Sequence, residues 1–179
     1  MTNIMIHKSA WKFIDGARSK DDAREVLQQV YIDPADGIIA TNGRMLAKLD
    51  PDQAGGIGGL EPGAYEIIAQ GKPDKAGYMI LGIRRTDNQF PDYKKVIPEK
   101  PTAWKQLTVA ANAKKASLAI SRLLIELYEY TGSAFDLEYL LVLGALTDTW
   151  AVGKAEKDKA AYFSGPGQTM AVVLPFKVN

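Results

Sequence analysis

A chain of 179 residues, 46% apolar and 24% charged, falls in the range of ordinary globular proteins and can bury one substantial core or two small ones. Cysteine is absent and His7 is the single histidine, which excludes disulfides, thiolate catalysis and cysteine-held zinc, and leaves too few imidazoles for most protein-built transition-metal sites. With 22 Lys and Arg against 21 Asp and Glu, the net charge of +1 creates no global field toward nucleic acid, so any DNA contact must come from a local patch.

In chain order, Asn3 to Ile6 reads as a short strand, and Ser9 is expected to cap a helix running to about Ser19. Its apolar positions Ala10, Phe13, Ile14 and Ala17 repeat at helical spacing. Val26 to Asp33 alternates apolar and polar residues, and Asp33-Pro34-Ala35-Asp36-Gly37 is a turn leading into Ile38 to Ala40. Asn42-Gly43 between two apolar runs predicts a tight hairpin, because both residues tolerate the positive φ of a two-residue turn; the strand resumes over Arg44 to Leu49. Gly55-Gly56-Ile57-Gly58-Gly59 reads as a mobile loop, since its glycines lose too much backbone entropy to hold an element. Strands follow near Ala64 to Ala69 and Tyr78 to Ile83.

The stretch from Gln89 to Pro101 carries three prolines, which fix an extended connector and mark the internal boundary. The expected organisation is therefore an N-terminal half at 1–88, a connector at 89–101 and a C-terminal half at 102–179. In the second half Leu107 to Ala111 reads as a strand. Ile120, Leu123, Leu124, Leu127, Tyr128 and Thr131 form one helical stripe with Arg122, Glu126 and Glu129 opposite, and Gly132 sits where a helix-ending glycine belongs. Leu137 to Leu146 is apolar almost all round, as a buried helix is. Strands near Thr149 to Gly153, Ala160 to Ser164 and Thr169 to Lys177 close the chain. Each half thus holds a strand, a helix and then several strands, without a residue-level repeat; an α+β protein with antiparallel sheets and two to three helices packed on one side is expected.

Conventional catalysis finds little support. His7 lies beside a strand with no Gly-x-Ser-x-Gly elbow elsewhere, and the glycines at 55, 56, 58 and 59 are not closed by Gly-Lys-Ser or Gly-Lys-Thr. Asp21-Asp22 and Asp33 with Asp36 lack the spacing of a calcium loop, and turn or cap formation accounts for them. No enzyme, cofactor or metal is expected. No secretion-type start and no apolar run near the roughly 20 residues of a membrane helix is present, so a cytoplasmic protein without a membrane partner is expected.

Three segments carry a resemblance: Ala40-Thr41-Asn42-Gly43-Arg44-Met45-Leu46-Ala47, Phe90-Pro91-Asp92-Tyr93-Lys94-Lys95-Val96-Ile97-Pro98 and Val172-Val173-Leu174-Pro175-Phe176-Lys177-Val178. Together they resemble the bacterial DNA polymerase III β sliding clamp family. There the matching pieces are a Thr-Asp-Gly-His-Arg-Leu-Ala turn, a Phe-Pro-Asp-Tyr-Arg-Arg-Val connector and a C-terminal Val-Val-Met-Pro-Met-Arg-Leu strand, which meet in the pocket that grips partner peptides. The likeness covers about residues 1–50, 89–98 and 134–179. It implies a DNA-clamp-like fold and a partner-binding pocket bordered by Thr41, Gly43, Arg44, Met45, Leu46, Pro91, Lys95, Val96, Val172, Val173, Leu174, Pro175 and Phe176, with Lys177 at its rim. An apolar floor with a charged margin suits a short linear peptide. Asn42 stands where the family has Asp, Arg44-Met45 where it has His-Arg, and Phe176 replaces a flexible methionine with a stiffer ring.

The resemblance further implies a replication processivity protein that docks peptides of DNA polymerases or repair proteins and encircles double-stranded DNA as a homo-oligomeric ring, without sequence preference. Family clamps have three domains per chain and close as dimers; a chain about half that size closes a ring as a trimer or hexamer. Lys8, Lys12, Arg18, Lys20 and Arg24, on and just beyond the first helix, are the candidate DNA contacts, because phosphate neutralisation needs cations on a face toward the duplex. Two alternatives stand beside this one. The first is a stand-alone peptide-binding adaptor or competitor of clamp partners that does not encircle DNA, and the second is a small-molecule-binding enzyme whose Gly-rich loop acts as a lid.

Overall fold

The computed structural model of the chain describes residues 2–109 and 117–176. The chain divides into two compact units, Met1–Asp92 and Tyr93–Asn179. The first contains β1 (Thr2–His7), α1 (Lys8–Ala17), a 3-10 segment (Asp22–Gln28), β2 (Val30–Asp33), β3 (Gly37–Thr41), β4 (Met45–Leu49), a 3-10 turn (Pro51–Gln53), β5 (Ala54–Gly55), β6 (Gly63–Gln70) and β7 (Tyr78–Arg85). These strands form an antiparallel sheet in the order β5-β1-β7-β6-β2-β3-β4. Along β1 the period-two pleat buries Ile4 and Ile6 and exposes Asn3 and Met5. Ala10, Phe13, Ile14 and Ala17 fall on one face of α1 and are buried where α1 packs on β1, β3 and β4, as their spacing predicts.

Several local expectations shift. Helix α1 starts one residue before the expected cap: His7 is the N-cap, its Nδ1 accepting from the Ser9 backbone N–H at 3.3 Å and lying 2.7 Å from the Ser9 hydroxyl. Val26 to Gln29 is not strand. Asp21 caps the irregular 3-10 segment by accepting from Ala23 N–H, and pairing begins only at Val30. The glycine-rich stretch is anchored rather than loose: Gly55 pairs with Met5, Ile57 is buried, and Leu60 N–H bonds to the Ile57 carbonyl at 3.0 Å. Gly37 takes a φ of 102°, and a Cβ there would collide with the Leu49 carbonyl, so the tight β2–β3 turn requires glycine.

The second unit contains a 3-10 turn (Tyr93–Val96), β8 (Trp104–Thr108), α2 (Ser117–Thr131), α3 (Leu137–Leu146), β9 (Thr149–Gly153), β10 (Ala161–Ser164) and β11 (Met170–Val173). Its strands run antiparallel in the order β8-β9-β10-β11. The expected all-extended connector therefore holds a helical turn at Tyr93–Val96, with Tyr93 buried. Residues 110 and 111 of the expected strand over Leu107 to Ala111, and Lys177 of the expected last one, lie outside the described residues, and that last strand covers Met170–Val173 rather than Thr169 to Phe176. Gly132, at φ 70°, ends α2 with its N–H on the Tyr128 carbonyl at 2.8 Å, as expected. The apolar stripe of α2 holds for Leu123, Leu127 and Thr131, which are buried, but Tyr128 lies outside it and is exposed. Asp136 caps α3 by accepting from Glu138 N–H at 2.9 Å.

Both units use a similar chain path, a strand, one α-helix in the first unit and two in the second, then a three-stranded antiparallel meander, as β1-α1-β2-β3-β4 and as β8-α2-α3-β9-β10-β11. In the first unit the β6–β7 hairpin stands between β1 and β2; in the second β8 pairs with β9 directly. The protein is thus α+β with antiparallel pairing and three α-helices among the described residues, none of them long and apolar enough to cross a membrane.

Candidate functional site

The first candidate segment is the β3–β4 hairpin. Its register pairs Thr41 with Leu46, and Asn42 N–H donates to the Met45 carbonyl at 3.2 Å, so the two central residues are Gly43 and Arg44 rather than Asn42 and Gly43. Gly43 alone takes the positive φ, 86°, which at the first central position is the type II′ pattern. Asn42 contributes its side chain instead: Oδ1 accepts from the N–H groups of Arg44 and Met45, both at 2.9 Å. Thr41 Oγ1 donates to the Met45 carbonyl at 2.8 Å and accepts from Gly43 N–H at 3.1 Å. The consequence is an ordered tip with Gly43 and Arg44 exposed, while Met45 and Leu46 are buried in the core. Of the first unit's remaining candidate, Pro91, the ring is exposed beside Phe90, which is buried with its ring 5.7 Å from that of Tyr31.

The second candidate segment follows β11. Val172 and Val173 are buried as the last residues of that strand, whereas Leu174 is 43% and Phe176 57% exposed, with Pro175 half-buried between them. The Phe176 N–H is fixed to the Ala134 carbonyl, between α2 and α3, at 2.7 Å. Val96, in the same unit, is also exposed and ends the 3-10 turn that carries Lys95. Met45, Leu46, Val172 and Val173 therefore hold their segments from beneath. Among the candidates, Gly43, Arg44 and Pro91 of the first unit and Lys95, Val96, Leu174 and Phe176 of the second are exposed.

The basic candidates separate into two kinds. Lys8 and Lys12 are exposed one helical turn apart on α1. Arg18 is largely covered: its Nη1 lies 2.7 Å from Asp15 Oδ1, its Nε donates to the Gln28 carbonyl at 2.6 Å, and its guanidinium sits 5.5 Å from the Trp11 ring centre. Burial pulls its pKa below the usual arginine value, with Asp15 opposing that shift. Lys20 pairs with the same Asp15 at 3.1 Å, and Arg24 pairs with Asp21 at 3.7 Å while donating to the Asn42 carbonyl at 3.2 Å. Arg24 thereby ties the 3-10 segment to the hairpin tip.

A feature not anticipated from sequence is a cleft of about 620 Å³ in the second unit, between Pro98–Thr102 and the β9–β10 turn, bordered by Lys100, Lys154, Glu156, Lys159 and Tyr162. Burial pushes the Tyr162 hydroxyl pKa up. The signal available for this cleft was Gly153, the residue type that leaves room for the Pro101 ring against β9.

No family model and no curated protein matches the sequence. Solved structures do match in fold. The sliding clamp of Bartonella birtlesii, bound to griselimycin, superposes with a TM-score of 0.60 at 15% identity over 99% of this chain and 66% of its own. The DNA polymerase III subunit beta of Borrelia burgdorferi, in complex with a natural product, gives 0.58 at 13% identity over 100% and 65%. That of Thermotoga maritima gives 0.57 at 13% over 100% and 66%. The chain thus spans less than two thirds of the length of these proteins, and what it shares with them is the fold.

Proposed function

We propose that this chain, which has the fold of a bacterial DNA polymerase III β sliding clamp, is a non-enzymatic replication accessory that docks short peptides of DNA polymerases or repair proteins. The observation that carries this reading is the Leu174–Phe176 segment. Two large apolar side chains stand exposed on a backbone held by a buried strand on one side and the Ala134 carbonyl on the other. Ordered, exposed apolar groups are what an anchor side chain of a linear peptide needs, because little entropy is lost in arranging them. In the same unit Val96 adds exposed apolar surface and Lys95 an exposed charge, and Gly43, Arg44 and Pro91 of the first unit belong to the segments that the resemblance assigns to the same role. The test is a fluorescence-anisotropy titration with a labelled clamp-binding peptide from a polymerase tail. Saturable binding is expected, and an unchanged signal up to millimolar protein contradicts the proposal.

In its fuller form the reading includes a homo-oligomeric ring around duplex DNA, with Lys8 and Lys12 turned to the phosphates. A specific observation favours the second reading, an adaptor that binds clamp partners without encircling DNA. Arg18, Lys20 and Arg24 are engaged by Asp15, Asp21 and backbone carbonyls, and so are poor donors to phosphate. Gel-shift titrations on duplex DNA at several salt concentrations separate the two. The ring predicts that Lys8→Glu with Lys12→Glu weakens binding and lowers the salt slope by about 2. The adaptor predicts no DNA binding by the unaltered chain while peptide binding persists. For the enzyme alternative, the anchoring of the glycine stretch at Gly55 and Ile57 leaves Gly58 and Gly59 as its open part, too short for a lid.

A further inference from the structure

Helix α2 has two apolar faces, and the fold uses one. Leu123, Leu127 and Thr131 are buried, while Leu118, Ile125 and Tyr128 are 65%, 57% and 58% exposed. Leu118, Arg122, Ile125 and Glu129 follow one another at spacings of 4, 3 and 4, which places them on a single stripe directly opposite the buried one; Tyr128 and Glu126 flank it. Among the described residues none of Arg122, Glu126 and Glu129 makes an ion pair within the chain. A face that bears one base, two acids and three large apolar groups is unsuited to phosphate and leaves greasy surface wet.

We infer that this face binds the same face of a second copy of the chain, with the two α2 helices antiparallel about a two-fold axis near Ile125. The pattern is self-complementary about that point. An isologous contact brings residue 125 − k of one copy opposite residue 125 + k of the other. Ile125 then meets Ile125, and Arg122 meets Tyr128 and lies within one residue's rise, about 1.5 Å along the axis, of Glu129. The same pair recurs on the other side of the axis, so two Arg–Glu pairs flank an apolar centre. Leu118 falls opposite the end of the partner helix at Gly132, beside the aliphatic stem of Lys157. A parallel arrangement sets Arg122 against Arg122 and Glu129 against Glu129, and is disfavoured by like charge. This contact closes on itself as a dimer. A head-to-tail ring, by contrast, needs two different surfaces.

Sedimentation velocity over a concentration series tests it. The unaltered chain is expected to move from 19.5 kDa toward twice that mass as concentration rises. Ile125→Glu is expected to remain monomeric, and Arg122→Glu or Glu129→Arg alone to raise the dimer dissociation constant at least about 10-fold, since each creates two like-charge pairs. An equimolar mixture of the Arg122→Glu and Glu129→Arg chains is expected to dimerise again, because each end of the mixed interface regains one acid and one base. These side chains are exposed, so thermal melts should match the parent and exclude misfolding. A chain that stays monomeric at all concentrations overturns the inference. So does a dimer or larger ring that survives Ile125→Glu, or charge variants whose mixture does not re-associate.

Discussion

Trp150→Ala is expected to lower stability by about 3–5 kcal/mol, measured by urea unfolding followed by circular dichroism. Trp150 is wholly buried on β9, and its indole Nε1 donates to the carbonyls of Leu143 and Thr147, both at 3.1 Å. Leu143 belongs to the last turn of α3, whose carbonyls have no helical partner to accept from unless the chain supplies one; the Thr147 N–H also reaches the Leu143 carbonyl, at the longer distance of 3.4 Å. The ring therefore fills the core between helix and sheet and satisfies the helix end at once. Gly165 leaves space for it, since a Cβ there would lie 2.8 Å from the ring. Trp150→Phe separates the contributions. It keeps most of the ring but removes the donor, and is expected to cost about 1–3 kcal/mol. A loss below about 1 kcal/mol for Trp150→Ala contradicts the account of how the second unit is held.

Replacing Leu174 and Phe176 together by alanine is expected to weaken binding of a clamp-binding peptide by about 2 kcal/mol or more, close to 30-fold in dissociation constant. Apolar anchors concentrate binding energy because they desolvate fully only in the complex, and both side chains are exposed in the unbound chain. The same exposure means their removal should leave the unfolding midpoint nearly unchanged, which separates a lost contact from a lost fold. The opposite pattern is expected for Val173→Ala. That residue is fully buried, so the change acts first on stability and on affinity only through it. Unchanged affinity in a well-folded double variant sinks the docking proposal.

Much of the scaffold was legible because it follows from periodicity. The spacing of Ala10, Phe13, Ile14 and Ala17 gave the buried face of α1, Leu123 and Leu127 that of α2, and Gly132 its end. What was misread depended on side chains competing for backbone groups. His7, not Ser9, accepts the first helical N–H. Asn42 holds its turn through Oδ1 and so passes the positive φ to Gly43 alone, which moves the hairpin by one residue. Tyr128 fits an apolar stripe by composition but lies at its margin, where only the packing decides. The sliding-clamp likeness was carried by three segments, Ala40 to Ala47, Phe90 to Pro98 and Val172 to Val178, and the fold bears it out. Sequence could not say which segment residues are open. Leu46 and Val172 are as apolar as Leu174 and Phe176, yet strand pairing buries the first two and the end of β11 exposes the others.

The most direct test of the docking claim is a crystal structure of the chain with a clamp-binding peptide. The account predicts an apolar peptide side chain within about 4 Å of both Leu174 and Phe176. A peptide bound elsewhere, with those two side chains still in solvent, contradicts it.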